Sequence, residues 1–195
     1  FVPCEMTLRN YGTCVSRKEL LTVRGAEHGM SFLVEEVKPW VDSRYSTWGD
    51  PAHTFIMGSS CGGLISSYAF CLYPDVFGGA GCLSTHSSLM NPYVQTSQKP
   101  AAETYLAYLK ENLPADAEHL LYMDRGDCAI DSEYAESQAA INEMIATLDW
   151  PQENYMYSYF PGKSHSENDW RERLDIPVKF LVGVKDRSKS ETYSH

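Results

Sequence analysis

No stretch of this chain is long and apolar enough to cross a membrane, and no basic region followed by an apolar one opens it. Basic residues are few: 16 Lys and Arg against 26 Asp and Glu leave a formal net charge of −10. There is no concentrated basic run to offset that balance, which argues against nucleic acid or an anionic membrane as the main partner. Cysteine pairs at C-x-x-C spacing are missing too. Cys4, Cys14, Cys61, Cys71, Cys82 and Cys128 stand apart from one another and from histidines at metal spacing. That disfavours a disulfide framework and a zinc site, and buried free thiols fit most of the six. No metal or cofactor is expected.

What is present suits an ordered globular chain. Its 195 residues are 43% hydrophobic and 12% aromatic, enough for one domain with a real core. Residues 1–27 show no convincing periodicity. Met30, Leu33, Val34, Val37, Trp40 and Val41 recur at three- and four-residue spacing, which predicts a helix over 29–45 interrupted near Pro39. Short apolar runs at 55–57, 79–83, 119–123 and 155–160 predict buried strands. Helical patterns fall at 61–72, at 101–112 and from Asp131, read as an N-cap, through Leu148; a last helix carries Trp170 and Leu174. Residues 87–100 read as a surface loop or lid. Strand and helix alternate throughout, so the expected fold is α/β, a mostly parallel sheet with helices on both faces. One domain is expected over residues 1–185, with a polar tail at 186–195.

The sharpest local signal is Gly58-x-Ser60-x-Gly62. It follows apolar Phe55, Ile56 and Met57 and precedes Leu64, Ile65, Tyr68, Ala69 and Leu72 at helical spacing. With glycine near 7% of residues, this pattern arises by chance in roughly one chain in twenty of this length. The strand–turn–helix context therefore carries the assignment, that of a nucleophile elbow with its serine exposed at the apex of a strained bend. Glycines let strand and helix approach closely, and the helix N-terminus offers donors to an oxyanion. Ser60 is the expected nucleophile and the Cys61 N–H one oxyanion donor. A second donor belongs to a loop after an earlier strand, yet no HGGG-like segment precedes residue 53.

A serine hydroxyl needs a base, and the base needs an acid to orient it. On this type of fold the chain order is serine, acid, histidine. Of His28, His53, His86, His119, His165 and His195, only the last four follow Ser60. His119 opens a strand at the wrong edge of the sheet, His195 ends a polar tail, and His86 leaves almost no room for an acid before it. His165, in a Pro-Gly loop after the last strand, stands where the order requires. The loop after the third strand offers Asp124, Asp127, Asp131 and Glu133 as the acid. Asp131 is favoured, with Asp127 as the alternative, although each also fits an ordinary duty as helix cap or turn residue.

Five segments in order, GSSCGGLISSYAF, YPDVFGGAGCLSTH, LLYMDRG, the isolated Asp131 and FPGKSHSENDW, resemble the esterase family of α/β-hydrolases. That family includes enterochelin esterases, feruloyl and acetyl-xylan esterases and mycobacterial mycolyltransferases. EEVKPWVDSRY resembles the helix these proteins carry before the elbow strand, and the resemblance covers roughly residues 25–183. It implies an α/β-hydrolase fold, a triad matching Ser60, Asp131 and His165, and cofactor-free hydrolysis of small-molecule or carbohydrate-linked esters. Cys61 departs from the Met, Leu or Gln more usual there, but its N–H is unaffected. Family members also carry several strands ahead of this helix, and Phe1-Val-Pro3 reads as the end of one. The chain is therefore expected to be the C-terminal portion of such a domain, weakly active alone and prone to association. Beside the esterase reading stand acyl transfer by the same triad and a non-catalytic binding module. The last is suggested by Trp40, Trp48, Trp150 and Trp170, all expected at the surface.

Overall fold

The computed structural model describes residues 29–87 and 99–183. The expected strand end at Pro3, Cys4, Cys14, His28, most of the expected 87–100 loop, and the tail with His195 lie outside the described residues.

Short apolar runs rich in small and aromatic residues form four strands: β1 (Phe55–Ser59), β2 (Gly79–Leu83), β3 (Leu120–Arg125) and β4 (Tyr155–Tyr159). They make one sheet in the order β1-β2-β3-β4, with every pair parallel. Parallel neighbours need long crossovers, and helices supply them. A helix α1 over residues 29–42 precedes the sheet. The crossovers are α2 (Cys61–Leu72), α3 (Lys99–Asn112) and α4 (Ala135–Ala146); α5 (Glu167–Arg173) and α6 (Asp175–Val182) follow β4. The interruption expected near Pro39 is a π-helical turn at Leu33–Val37, just before it, where the Lys38 N–H reaches back to the Leu33 carbonyl. Proline has no N–H and its ring crowds the preceding turn, so the widened turn accommodates it. β3 also runs past the predicted Met123, because Asp124 finds buried partners that keep it in the ladder.

Alternation of side chains across the strands divides the sheet into two faces. Ala80, Cys82, Leu121 and Met123 join Phe70, Tyr105, Leu109, Ile141 and Ile145 in the main core. Each such large apolar side chain contributes about 1.5–3 kcal/mol by leaving water. On the other face α6 packs against β2 and β3. A Cβ at Gly79 would lie 2.9 Å from a Leu181 methyl, so glycine there lets the helix in. Helices thus cover both faces.

Cys61, Cys71 and Cys82 are buried free thiols, as expected for most of the six, and Cys128 is exposed; burial pushes the Cys71 thiol up to about 12, which keeps it protonated. The surface expectation for the tryptophans changes. Of the tryptophans, Trp40 and Trp48 are exposed, whereas Trp150 is buried and stacks on Tyr155, and Trp170 is half-buried.

Candidate active site

β1 ends at Ser59 and α2 begins at Cys61, so the chain must reverse direction within one residue. Ser60 does this at φ 58°, ψ −123°, a conformation that costs a non-glycine residue on the order of 1–3 kcal/mol. Its N–H donates to the Leu83 carbonyl at 2.9 Å, and its own carbonyl accepts from the N–H groups of Leu64 and His86, each at 3.2 Å. A Cβ on Gly58 would fall 2.6 Å from the Gly62 carbonyl carbon, while one on Gly62 meets nothing within 4 Å. The second tight position is Gly63, where a Cβ would lie 2.7 Å from Thr85 Oγ1. The elbow motif does not mark that glycine.

Strand register brings the remaining candidates to the same edge: Ser59 lies beside Leu83, Leu83 beside Asp124, and Asp124 beside Ser158. Asp131 is fully buried and its Oδ1 lies 2.6 Å from His165 Nδ1. Its Oδ2 accepts from Ser84 Oγ at 2.6 Å and from the Gly126 N–H at 2.7 Å. Burial pushes the carboxyl up, but the bonds from His165, Ser84 and Gly126 outweigh it and hold Asp131 below the usual carboxylate range. An ionised carboxylate only accepts, so His165 donates from Nδ1 and Nε2 is left as the basic nitrogen.

Asp131 is not a helix cap. It sits in a 3-10 turn, Ala129–Tyr134, and α4 begins at Ala135 with Tyr134 as its N-cap and no side-chain cap bond. Three donors have drawn the carboxylate inward instead. Asp127 is a turn residue, accepting from Tyr159 OH and the Gly162 N–H at 2.7 Å each, and does not meet His165. Asp124 pairs with Arg173. The N–H groups of Asp127 and Cys128 both donate to the Lys163 carbonyl at 3.0 Å, which ties the loop before Asp131 to the loop of His165. Gly126 makes that approach possible, since a Cβ there would overlap the Lys163 carbonyl.

Among the described residues, no hydrogen bond joins the Ser60 hydroxyl to His165; such bonds are often long before substrate binds. Two further residues link the elbow to His165: His86, excluded above as the base, and Tyr134. The N–H of His86 bonds to Ser60, its Nδ1 lies 2.8 Å from Tyr134 OH, and the Tyr134 ring packs edge-on against His165 with centroids 5.7 Å apart. His119 pairs with Asp116 and the Pro74 carbonyl, and His53 pairs with Asp50; neither approaches this edge.

A family model described as "Putative esterase" matches residues 22–181. Comparison with curated proteins returns no match. The fold is similar to the enterochelin esterase of Shigella flexneri, with TM-score 0.60 and 19% identity over 79% of this chain and 37% of that one. It is similar to the feruloyl esterase module of Clostridium thermocellum, a serine-to-alanine mutant complexed with sinapinate, at TM-score 0.61 and 18% identity over 87% and 62%. A third likeness is to the S-formylglutathione hydrolase FrmB of Staphylococcus aureus, at TM-score 0.58 and 16% identity over 90% and 73%. The chain thus spans little more than a third of the first and less than two thirds of the second. Likeness at these identities speaks to the fold, which is that of an α/β-hydrolase.

Proposed function

The chain belongs to this esterase family, and from that premise we propose that it is a serine hydrolase of carboxylic esters acting through Ser60, His165, Asp131 and an acyl-enzyme. The observation that carries the reading is the 2.6 Å Asp131–His165 pair at the same sheet edge as the strained Ser60 bend. Ser60 Oγ attacks the ester carbonyl while His165 Nε2 takes its proton. Asp131 keeps the imidazole in the required tautomer and balances the imidazolium that forms. The Cys61 N–H, in the first turn of α2, serves the oxyanion. The tetrahedral intermediate expels the alcohol, which leaves with the proton from His165. Water then attacks the acyl-enzyme, His165 again acting as base, and releases the carboxylic acid and free Ser60.

The test is labelling with a fluorophosphonate, followed by mapping of the modified peptide. Modification of Ser60 is expected in the wild type and none in Ser60→Ala. A wild-type protein that stays unmodified, or is modified elsewhere, overturns the reading.

A further inference from the structure

Behind the acid lies a buried polar cluster that the reaction just described does not use. Ser84 follows β2 directly, is fully buried, and holds φ 39° although it is not glycine. Such a conformation persists only where the surroundings impose it. The Ser84 N–H donates to Asp124 Oδ1 at 2.9 Å. Its Oγ accepts from Trp170 Nε1 at 3.0 Å and from Arg173 Nη2 at 2.8 Å. Indole and guanidinium groups only donate, so the hydroxyl's two lone pairs are used and its hydrogen has one acceptor within reach, Asp131 Oδ2 at 2.6 Å.

The donors are themselves fixed. Arg173 is buried, forms an ion pair with Asp124 through Nη2 at 2.9 Å and Nε at 3.2 Å, and lies over the Phe160 ring at 4.7 Å. Tyr122 OH also donates to Asp124 Oδ2, at 2.9 Å. Trp170 presents its ring edge-on to His165, with centroids 4.9 Å apart. One hydroxyl is therefore set by a charge pair on one side and by the neighbour of the base on the other.

We propose that Ser84, aimed by Arg173 and Trp170, is a positioning residue that fixes the Asp131 carboxylate so that Oδ1 alone faces His165. This rests on the triad reading above. With Oδ2 occupied by Ser84 and Gly126, the carboxylate cannot rotate without losing both bonds. The Asp124–Arg173 pair orients the hydroxyl while adding almost no net charge behind Asp131.

The experiment compares wild type, Ser84→Ala and Ser84→Gly by the rate of fluorophosphonate labelling at Ser60 as a function of pH. Glycine suits the φ at position 84, so Ser84→Gly lacks the hydroxyl on a relaxed backbone, which offsets part of the cost of leaving Trp170, Arg173 and Asp131 without that partner. Both variants should label about 10–100-fold more slowly, the range found when a hydrogen-bond partner that orients a metal-ligating side chain is removed. Without the hydroxyl the Asp131 charge is less shared and attracts the imidazolium more strongly. The acid limb of the rate profile should therefore move to higher pH. The other charges near Asp131, those of Asp124, Arg173 and Asp169, are unchanged in both variants. Rates within twofold of wild type, a loss of rate with an unmoved acid limb, or failure of both variants to fold would each overturn the proposal. A wild type that does not label at Ser60 overturns the triad reading instead.

Discussion

Gly58 and Gly62 flank the nucleophile symmetrically in the elbow pattern, yet only one of them is sterically required. A Cβ at Gly58 would press on the Gly62 backbone at 2.6 Å, and backbone cannot swing aside. Gly58→Ala should therefore cost about 1–3 kcal/mol or more. Gly62→Ala should leave stability unchanged or raise it by up to about 1 kcal/mol, through helix propensity. Urea denaturation of the two variants checks this, and the reverse ranking would refute the packing account. The histidines divide in the same way. His165→Ala should slow labelling of Ser60 by ~10³-fold or more, close to loss of the nucleophile's own activation. His86→Ala, which removes a Tyr134 partner and not the base, should cost less than about tenfold. Equal losses would mean that the roles are shared. The bend at Ser60 and the loop that carries His165 were legible because chain order and strand ends constrain them. Asp131 was legible only as one of several carboxylates. What separates it from Asp124 is a salt bridge to Arg173, 49 residues further along the chain, and no local pattern contains that.

At the level of elements, the histidine is held by the start of a helix. Ser166 is the N-cap of α5 and accepts from the Asp169 N–H, while the Asp169 carboxylate accepts from Ser164 Oγ at 2.6 Å and the Ser164 N–H at 2.8 Å. The bonds bracket His165 on both sides. They hold the Asp169 carboxyl down to about 2, the Ser164 hydroxyl being the largest cause. Since that lies below the unfolded value near 3.9, the anchoring is complete above about pH 4 and is lost as pH falls towards about 2. Asp169→Ala should abolish it at every pH. Faster amide exchange in the 160–170 segment at pH 7, with the β3 amides unchanged, is the expected result; unchanged protection would show that the loop is held by other means. Ser166 and Asp169 stand three residues apart in the sequence, but nothing local says that their bonds bracket His165. The same holds for Asp131, whose position at the head of a helical pattern predicts a cap, whereas three donors turn its carboxylate inward.

Across the whole molecule, alternating strands and helices made a parallel sheet legible, while strand order and register were not, and it is register that gathers Ser60, Ser84, Asp131 and His165 at one edge. That order has a consequence for solution behaviour. Among the described residues β1 pairs only with β2, and none of them pairs with its other side. Met57 on this strand is 39% exposed, and Val178 and Val182 of α6 are 39% and 62% exposed. An apolar strand with an open edge favours pairing between copies, and a net charge of −10 opposes it. The opposition is electrostatic, so it should weaken as pH falls towards the pI of about 5.0 and as salt shortens the screening length from about 30 Å at 0.01 M to about 3 Å at 1 M. Light scattering should accordingly detect association that grows with salt at pH 7 and is strongest near pH 5. Met57→Lys should suppress it by placing a charge on the strand, in the way natural edge strands are protected. The residue lies apart from Ser60 chemistry, so labelling should persist in the variant. Association that is unaffected by Met57→Lys, or a monodisperse monomer at pH 5 in 1 M salt, would show that the β1 edge is covered.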